Sequence, residues 1–541
     1  MLPPESRSAE SLRSDRFTDA CRAVLLTLAA FAIGQAIHIR DGEYHDGGGV
    51  APAVTIYWEV PSIGAISCVG VGLLSSLAAL FLPRLPASKA SRWMPHVALA
   101  VLAVAVGICF VQLLRSPISG WNDWSDDLIV TDERNLVLFK LGLGFAIAGA
   151  TALLIYPRRW WEQLIAITGI YFGIGLFAAA TVGLAVVLSR RKHWVVPLII
   201  VAVFHGLLGV WMVRSSPSPR IDVFVFQQVG AQALLNRDNP YAVTYPDIYA
   251  GTKQAEDRDV YGKGLSQDGK LAFGFPYPPL SLLLSTAGYI VGGDYRYAQA
   301  MALTLAGVLI ALARGGRWGA LAVLLLLFTP RAFFILGRGW TEPFVVFLLA
   351  LTLFTAYRFP RLLPIALGLF LASKQYLVLA IPLAWLLIPD SRDWRSALKL
   401  IVGALLVTAI VSLPLALWDF KAFWHSTVTV QQVSPFREDA LSWLVWYFHK
   451  TGVKPDAWVA FAVAVPMLGL ALLLCPRTPS GFALGLAVVY LPFIAFNKQA
   501  FANYYLFVIG AMVCALGTLR PEAGRALLAE KSDRQPTLTI S

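Results

Sequence analysis

Arg220-Ile221-Asp222-Val223-Phe224-Val225-Phe226-Gln227-Gln228 opens the longest polar segment of the chain. It continues through Asn236-Arg237-Asp238-Asn239-Pro240-Tyr241 and closes at Phe275-Pro276-Tyr277-Pro278-Pro279-Leu280. Apolar runs of helical length stand on both sides. A hydrocarbon span needs about 20 apolar residues, and such runs recur from residue 23 to residue 518. The stretch therefore reads as a large outer loop in an all-α, polytopic transmembrane helical bundle. An acid at a helix end, followed by a loop long enough to fold, is the natural place for chemistry.

The composition agrees with a bilayer protein. Of 541 residues 57% are hydrophobic and 14% charged, with a mean hydropathy of +0.65, whereas soluble domains carry about 25% charged residues. The net charge of +12 fits positively charged inner loops and contact with anionic membrane lipids. A nucleic-acid partner is not expected, because no basic helix or aromatic-lined soluble module is present. Cys21, Cys68, Cys109, Cys475 and Cys514 lie in or beside apolar runs without metal-type spacing, and read as packing residues.

Working outward, apolar runs fall near 23–37, 62–83, 95–115, 136–156, 163–188 and 194–213 before the polar segment. After it come 279–292, 295–313, 317–335, 342–358, 362–389, 396–417, 457–475, 480–496 and 503–518. On the span rule this is roughly 13 to 15 crossings. Residues 1–22 read as a disordered cytoplasmic tail, 23–193 as accessory N-terminal helices, 194–520 as the main membrane domain with outer loop 214–278, and 521–541 as a second cytoplasmic tail. Segment 163–188 has basic residues at both ends, and Gly169, Gly173 and Gly175 would permit a bend or break there. Run 362–389 is interrupted by Ser373-Lys374-Gln375-Tyr376 and bracketed by Arg361 and Arg392, so it reads as two short helices meeting near the outer surface.

Placing Arg314, Arg358, Arg392, Arg477 and the tail on the cytoplasmic side sends a distinctive set to the opposite face. It comprises Asp222, Arg338 with Glu342, Lys374, Lys421 with His425, and Lys498 with Asn503 and Tyr504. Charged groups at helix ends within a membrane protein tend to line cavities. This set suggests a pocket for an anionic headgroup, with a carboxylate for proton work. Each residue also has a plainer reading. Asp222 can cap the helix that follows it, Glu342 suits a helix first turn, Lys374 and Lys498 can snorkel to the interface, and Arg338 can pair with Glu342. For His425 loop packing is the better reading. Asp257-Arg258-Asp259 resembles a metal-binding Asp-x-Asp pair but lacks the accompanying soluble fold, and no metal is expected. Hydrolase, NTPase and metalloprotease motifs are absent.

Asp222 with Asn239-Pro240-Tyr241, Tyr277-Pro278-Pro279-Leu280, Gly339-Trp340-Thr341-Glu342-Pro343, Lys374-Gln375-Tyr376 and Asn503-Tyr504-Tyr505 resemble integral-membrane glycosyltransferases of the GT-C superfamily. The likeness is nearest to the family 87 polyprenyl-phosphate-mannose-dependent mannosyltransferases and covers about residues 195–518. It implies that Asp222 is the general base, and that a hexose, mannose in that family, moves with inversion from a polyprenyl-phosphate-linked donor. The acceptor would be a lipid or glycan at the outer face of a bacterial plasma membrane, in cell-envelope synthesis, with no cofactor. Glu342, Arg338, Lys374, Lys498, Tyr277, Asn503, Tyr504 and His425 are the candidate substrate-binding residues. Lys and Arg suit neutralisation of a departing phosphate. The chain departs from the family in the helices that precede the proposed catalytic loop. The alternatives are a transporter or flippase of a lipid-linked or anionic glycan, disfavoured by the lack of a half-to-half repeat, and a noncatalytic partner in envelope glycan synthesis.

Overall fold

The structure is a computed structural model that describes residues 9–40, 61–86, 88–115, 161–188, 194–219, 221–250, 260–262 and 264–519. The expected span at 136–156, the basic clusters at Arg158-Arg159 and Arg190-Arg191-Lys192, Arg220, Asp257-Arg258-Asp259 and the C-terminal tail lie outside the described residues.

The first helices are α1 (Ala9–Arg40), α2 (Ile63–Phe81), α3 (Met94–Arg115), α4 (Trp161–Leu188) and α5 (Val195–Ser215). The outer loop holds α6 (Asp222–Leu235) and a two-stranded hairpin, β1 (Ser266–Gln267) and β2 (Lys270–Leu271). Then follow α7 (Pro279–Gly292), α8 (Arg296–Arg314), α9 (Arg317–Leu327), α10 (Ala332–Arg338), α11 (Glu342–Arg358), α12 (Leu363–Leu371) and α13 (Gln375–Leu387). The last are α14 (Trp394–Ala416), α15 (Phe420–Trp424), α16 (Trp443–Thr451), α17 (Val459–Leu474), α18 (Pro479–Ala495) and α19 (Ala502–Gly517). The protein is an all-α, multi-pass membrane protein.

Local chemistry sets many of the helix ends. Ser62 accepts the Ala65 N–H at the start of α2, Asp393 the Ser396 N–H at α14, and Thr478 the Gly481 N–H at α18. Pro279 and Pro479 occupy first-turn positions, where a missing N–H costs nothing. Among the described residues six helices are long and apolar enough to cross a membrane, or seven if α9 and α10, bent by 53°, form one span. Apart from α4, six more apolar helices among the described residues have only 10–17 residues, so the larger crossing number expected from the apolar runs requires these shorter helices as well.

One expectation is corrected, and one point left open by the sequence is answered. Residues 9–22 are helical, because their polar side chains bind chain rather than water: Arg22 donates to the Ala79 and Leu82 carbonyls, Thr18 accepts from the Leu85 N–H, and Asp15 pairs with Arg84 at 2.8 Å. Segment 163–188 does not break at its glycines, since α4 is one 28-residue helix.

The first three helices share one hydrophobic core with the later ones: α1 packs on α19, α2 on α18 and α3 on α9. Helices α18 and α19 are buried nearly all round, as expected of a bundle centre. By contrast only 17% of the apolar window of α14 is covered by protein. The outer loop builds a second cluster from Phe226, Tyr241, Tyr245, Phe273, Phe275 and Leu282. Arg314 donates to the Thr518 carbonyl, Arg358 to those of Leu312 and Ala313, and Arg477 to that of Trp385. These cations thus bind helix C-termini at one end of the bundle, where the dipole favours them.

Candidate active site

The opposite end gathers most of the expected set. Asp222 is the first residue of α6, with Ile221 at the cap position. Its Oδ1 accepts the Val223 N–H at 2.8 Å, a contact that serves the helix start. Its Oδ2 accepts no hydrogen bond among the described residues, and the side chain is half-buried. Burial pushes the carboxyl above the usual carboxylate range, against the pull of the Arg437 guanidinium and the Val223 N–H, and Asp247 pushes the same way as burial. Such a carboxylate is a stronger base than an exposed one.

Tyr277 forms the wall between Asp222 and the helix-end cluster. Burial raises its phenol well above the ordinary range, and the charges of Asp222, Tyr504 and Glu342 all reach it. The chain is held here by several donors. Gln375 and Gln431 both donate to the Pro276 carbonyl, at 2.7 and 3.3 Å, and Ser426 accepts the Gly274 N–H at 2.9 Å. Gly274 is required by space: a Cβ there would lie 2.1 Å from the Tyr241 carbonyl oxygen. Ser426 belongs to a π-helical turn, His425–Thr429, that follows α15. His425 is half-buried in the same turn, and its Nε2 meets the Ala272 carbonyl at 3.3 Å.

Beyond Tyr277, Lys374 sits at the apex between α12 and α13, in extended backbone. The two short helices do meet there, as the interrupted apolar run implies. The Lys374 ammonium touches Glu342 Oε1 at 3.1 Å and lies 4.4 Å from the centre of the Tyr277 ring. Both members of this ion pair are buried, with side-chain exposures of 5% and 0%. The approach is off-line, and neither Glu342 oxygen accepts an aligned hydrogen bond among the described residues. Tyr376 and Tyr504 pack ring to ring beside the pair, within reach of the Glu342 charge. Asn503 is buried there at the start of α19 with its Oδ1 unpartnered.

Two cations stand differently from expectation. Arg338 does not form the expected pair with Glu342; it lies over the Phe334 ring, 5.1 Å from its centre, and Lys374 takes the carboxylate. Lys498 is half-buried and donates to the Ser434 and Gln432 carbonyls, so its ammonium braces the loop. Burial lowers the Lys498 ammonium below its ordinary range.

No family model matches the chain, and no curated protein matches it by sequence. Among solved structures it is similar to the crystal structure of ArnT from Cupriavidus metallidurans bound to undecaprenyl phosphate. The identity is 16% and the TM-score 0.39, over 62% of this chain and 62% of that one. This chain therefore spans less than two thirds of that structure's length. A likeness at this level assigns neither a fold family nor an activity.

Arg437 and Arg296 are not among the residues picked out by sequence. Arg437 clamps Asp439 with two parallel contacts of 3.0 Å, and its charge reaches Asp222. Arg296 is fully buried at the first position of α8, a site where the helix dipole disfavours a cation. That anomaly was a legible signal. The compensation is Asp294, two residues earlier, which Arg296 binds through Nε and Nη2. Its remaining donors reach the Gly337, Ser216 and Val213 carbonyls. Among the described residues no three His, Cys, Asp or Glu side chains converge as a metal site.

Proposed function

We propose that the chain is an inverting membrane glycosyltransferase that uses a polyprenyl-phosphate-linked sugar, with mannose the sugar suggested by the sequence resemblance. The observation that carries the reading is Asp222: a half-buried carboxylate with one oxygen tied to its own helix and the other without a hydrogen-bond partner among the described residues. In this reading Oδ2 takes the proton of an acceptor hydroxyl. The hydroxyl oxygen bonds to the anomeric carbon as the bond to the phosphate oxygen breaks, which inverts that carbon. Polyprenyl phosphate leaves with the electron pair, and Lys374 meets the charge that grows on it. The acceptor is a lipid or glycan. The cationic helix ends at the other side of the bundle support an outer-face site by the positive-inside rule.

Three polyprenyl-loaded nanodisc samples test it: wild type, Asp222→Asn and Lys374→Ala, each given radiolabelled polyprenyl-phosphate mannose and a membrane-lipid extract. Label is expected in a new product with wild type, with none above background for Asp222→Asn and weaker donor use for Lys374→Ala. Equal transfer by wild type and Asp222→Asn would remove the base. Labelled donor crossing the bilayer unchanged would support a flippase instead.

A further inference from the structure

We infer that Glu342 is a proton-accepting counter-ion: a lipid phosphodiester that binds Lys374 displaces Glu342, and the freed carboxylate takes up one proton from solvent. The inference rests on the proposed reading of the site as one for a phosphate-linked lipid, and adds a partner reaction that the transfer chemistry does not itself require.

The geometry supports an exchangeable pair. Lys374 has three donors, yet no hydrogen bond is made by its ammonium among the described residues; its contacts are the off-line approach to Glu342 and the face of Tyr277. Poorly aligned buried ion pairs do not recover the cost of removing two charges from water. An incoming phosphate oxygen offers Lys374 a better partner. Glu342 has no second cation to turn to in the groups known to face it. From the other elements these are Lys374, Tyr277, Tyr376 and Tyr504. The nearby cation on its own side, Arg338, lies over Phe334. With a phosphate charge bound beside it, a fully buried carboxylate left ionised is unfavourable, whereas a protonated one has no charge to bury. One negative charge enters with the ligand and one proton enters with it, so the charge of the buried site is unchanged.

The test is calorimetric. A short-chain prenyl-phosphoryl-mannose, whose single phosphodiester charge does not titrate near neutrality, is bound to the nanodisc-embedded protein in PIPES and in Tris. The difference in apparent enthalpy between buffers gives the protons taken up per ligand. Wild type is expected to take up about one, and its affinity to rise up to tenfold per unit as pH falls. Asp222→Asn is expected to keep the uptake, which separates Glu342 from the catalytic carboxylate. Glu342→Gln is expected to lose it and to bind about tenfold more tightly, since nothing then competes for Lys374. Binding by wild type without proton uptake overturns the inference and leaves the proposed function standing, and that arm needs no variant to fold. Uptake that persists in Glu342→Gln also overturns it. Absence of binding at every pH, in wild type, overturns the proposed function as well.

Discussion

Replacing Arg296 with Met removes a side chain that joins the end of α5, the end of α10 and the start of α8. The change leaves Asp294 without its cation and strips the Gly337 and Ser216 carbonyls of contacts of 2.6 Å each, with a weaker one of 3.3 Å lost at Val213. Breaking a buried ion pair costs about 3–5 kcal/mol, and each buried carbonyl left unpaired about 1–3 kcal/mol. Relaxation and water at the partly exposed Asp294 reduce the sum, to on the order of 5 kcal/mol. In a chain of this size that lowers the unfolding midpoint by roughly 5 °C or more. A thiol-reactive dye reads it directly, because Cys109, Cys475 and Cys514 are buried until the bundle opens. Transfer should fall too, since Ser216 begins the connection that delivers Asp222. The double variant Arg296→Met/Asp294→Asn should regain part of the loss, the unpaired charge being gone. A single variant that melts within 1–2 °C of wild type, about the error of such scans, would refute the assignment of Arg296 as a structural joint.

Asp222→Asn should be inactive yet more heat-stable at neutral pH. The sign follows from the raised carboxyl: the folded state binds the proton more tightly than the unfolded chain, so stability falls as pH rises from the ordinary carboxylate range through the raised value. Asn keeps the Val223 contact and has no charge to bury; a variant less stable than wild type contradicts this. For the same reason log kcat/KM of wild type should decline in acid with unit slope, beginning above the ordinary carboxylate range, and a flat acid limb would count against Asp222 as base. Lys498→Met should cut turnover about tenfold through loss of the Ser434 and Gln432 contacts, one to two hydrogen bonds' worth. It should leave donor affinity within twofold or so, and a larger affinity loss would restore Lys498 to the phosphate. Gly274→Ala should make the chain around Tyr241 and Gly274 sensitive to protease while helix content by circular dichroism is kept, because all three atoms that meet the new Cβ are Tyr241 backbone; wild-type resistance would show that Tyr241 can yield.

Much of this was legible because a membrane simplifies the code. Apolar runs gave the helices at 62–83, 95–115, 295–313, 342–358 and 396–417 to within two residues, and Lys374 inside an otherwise unbroken run exposed the apex between α12 and α13. Sidedness brought Glu342, Lys374, Tyr504 and Asn503 to one end with Asp222. Partner choice was not legible. Arg338 and Lys374 are both within chain reach of Glu342, and which one arrives depends on the turn at Gly339 between α10 and α11. Lys498 reads as a free cation until the loop that passes it is known. The helix over residues 9–22 was hidden because Arg22 and Thr18 bind backbone groups 57 to 67 positions away, which periodicity cannot see.

The Pro276 carbonyl is shared by two amides that come from different parts of the chain, Gln375 beside the apex lysine and Gln431 in the segment beyond the π-helical turn. A single oxygen thereby acts as a rivet through three layers, and the next residue, Tyr277, is the ring under the Lys374 ammonium. Any ligand that pulls the lysine, or any tilt of the segment that carries Gln431, loads the same point and turns the same ring. The buried pair and the wall beside Asp222 are in this way anchored together on an atom that has no chemistry of its own.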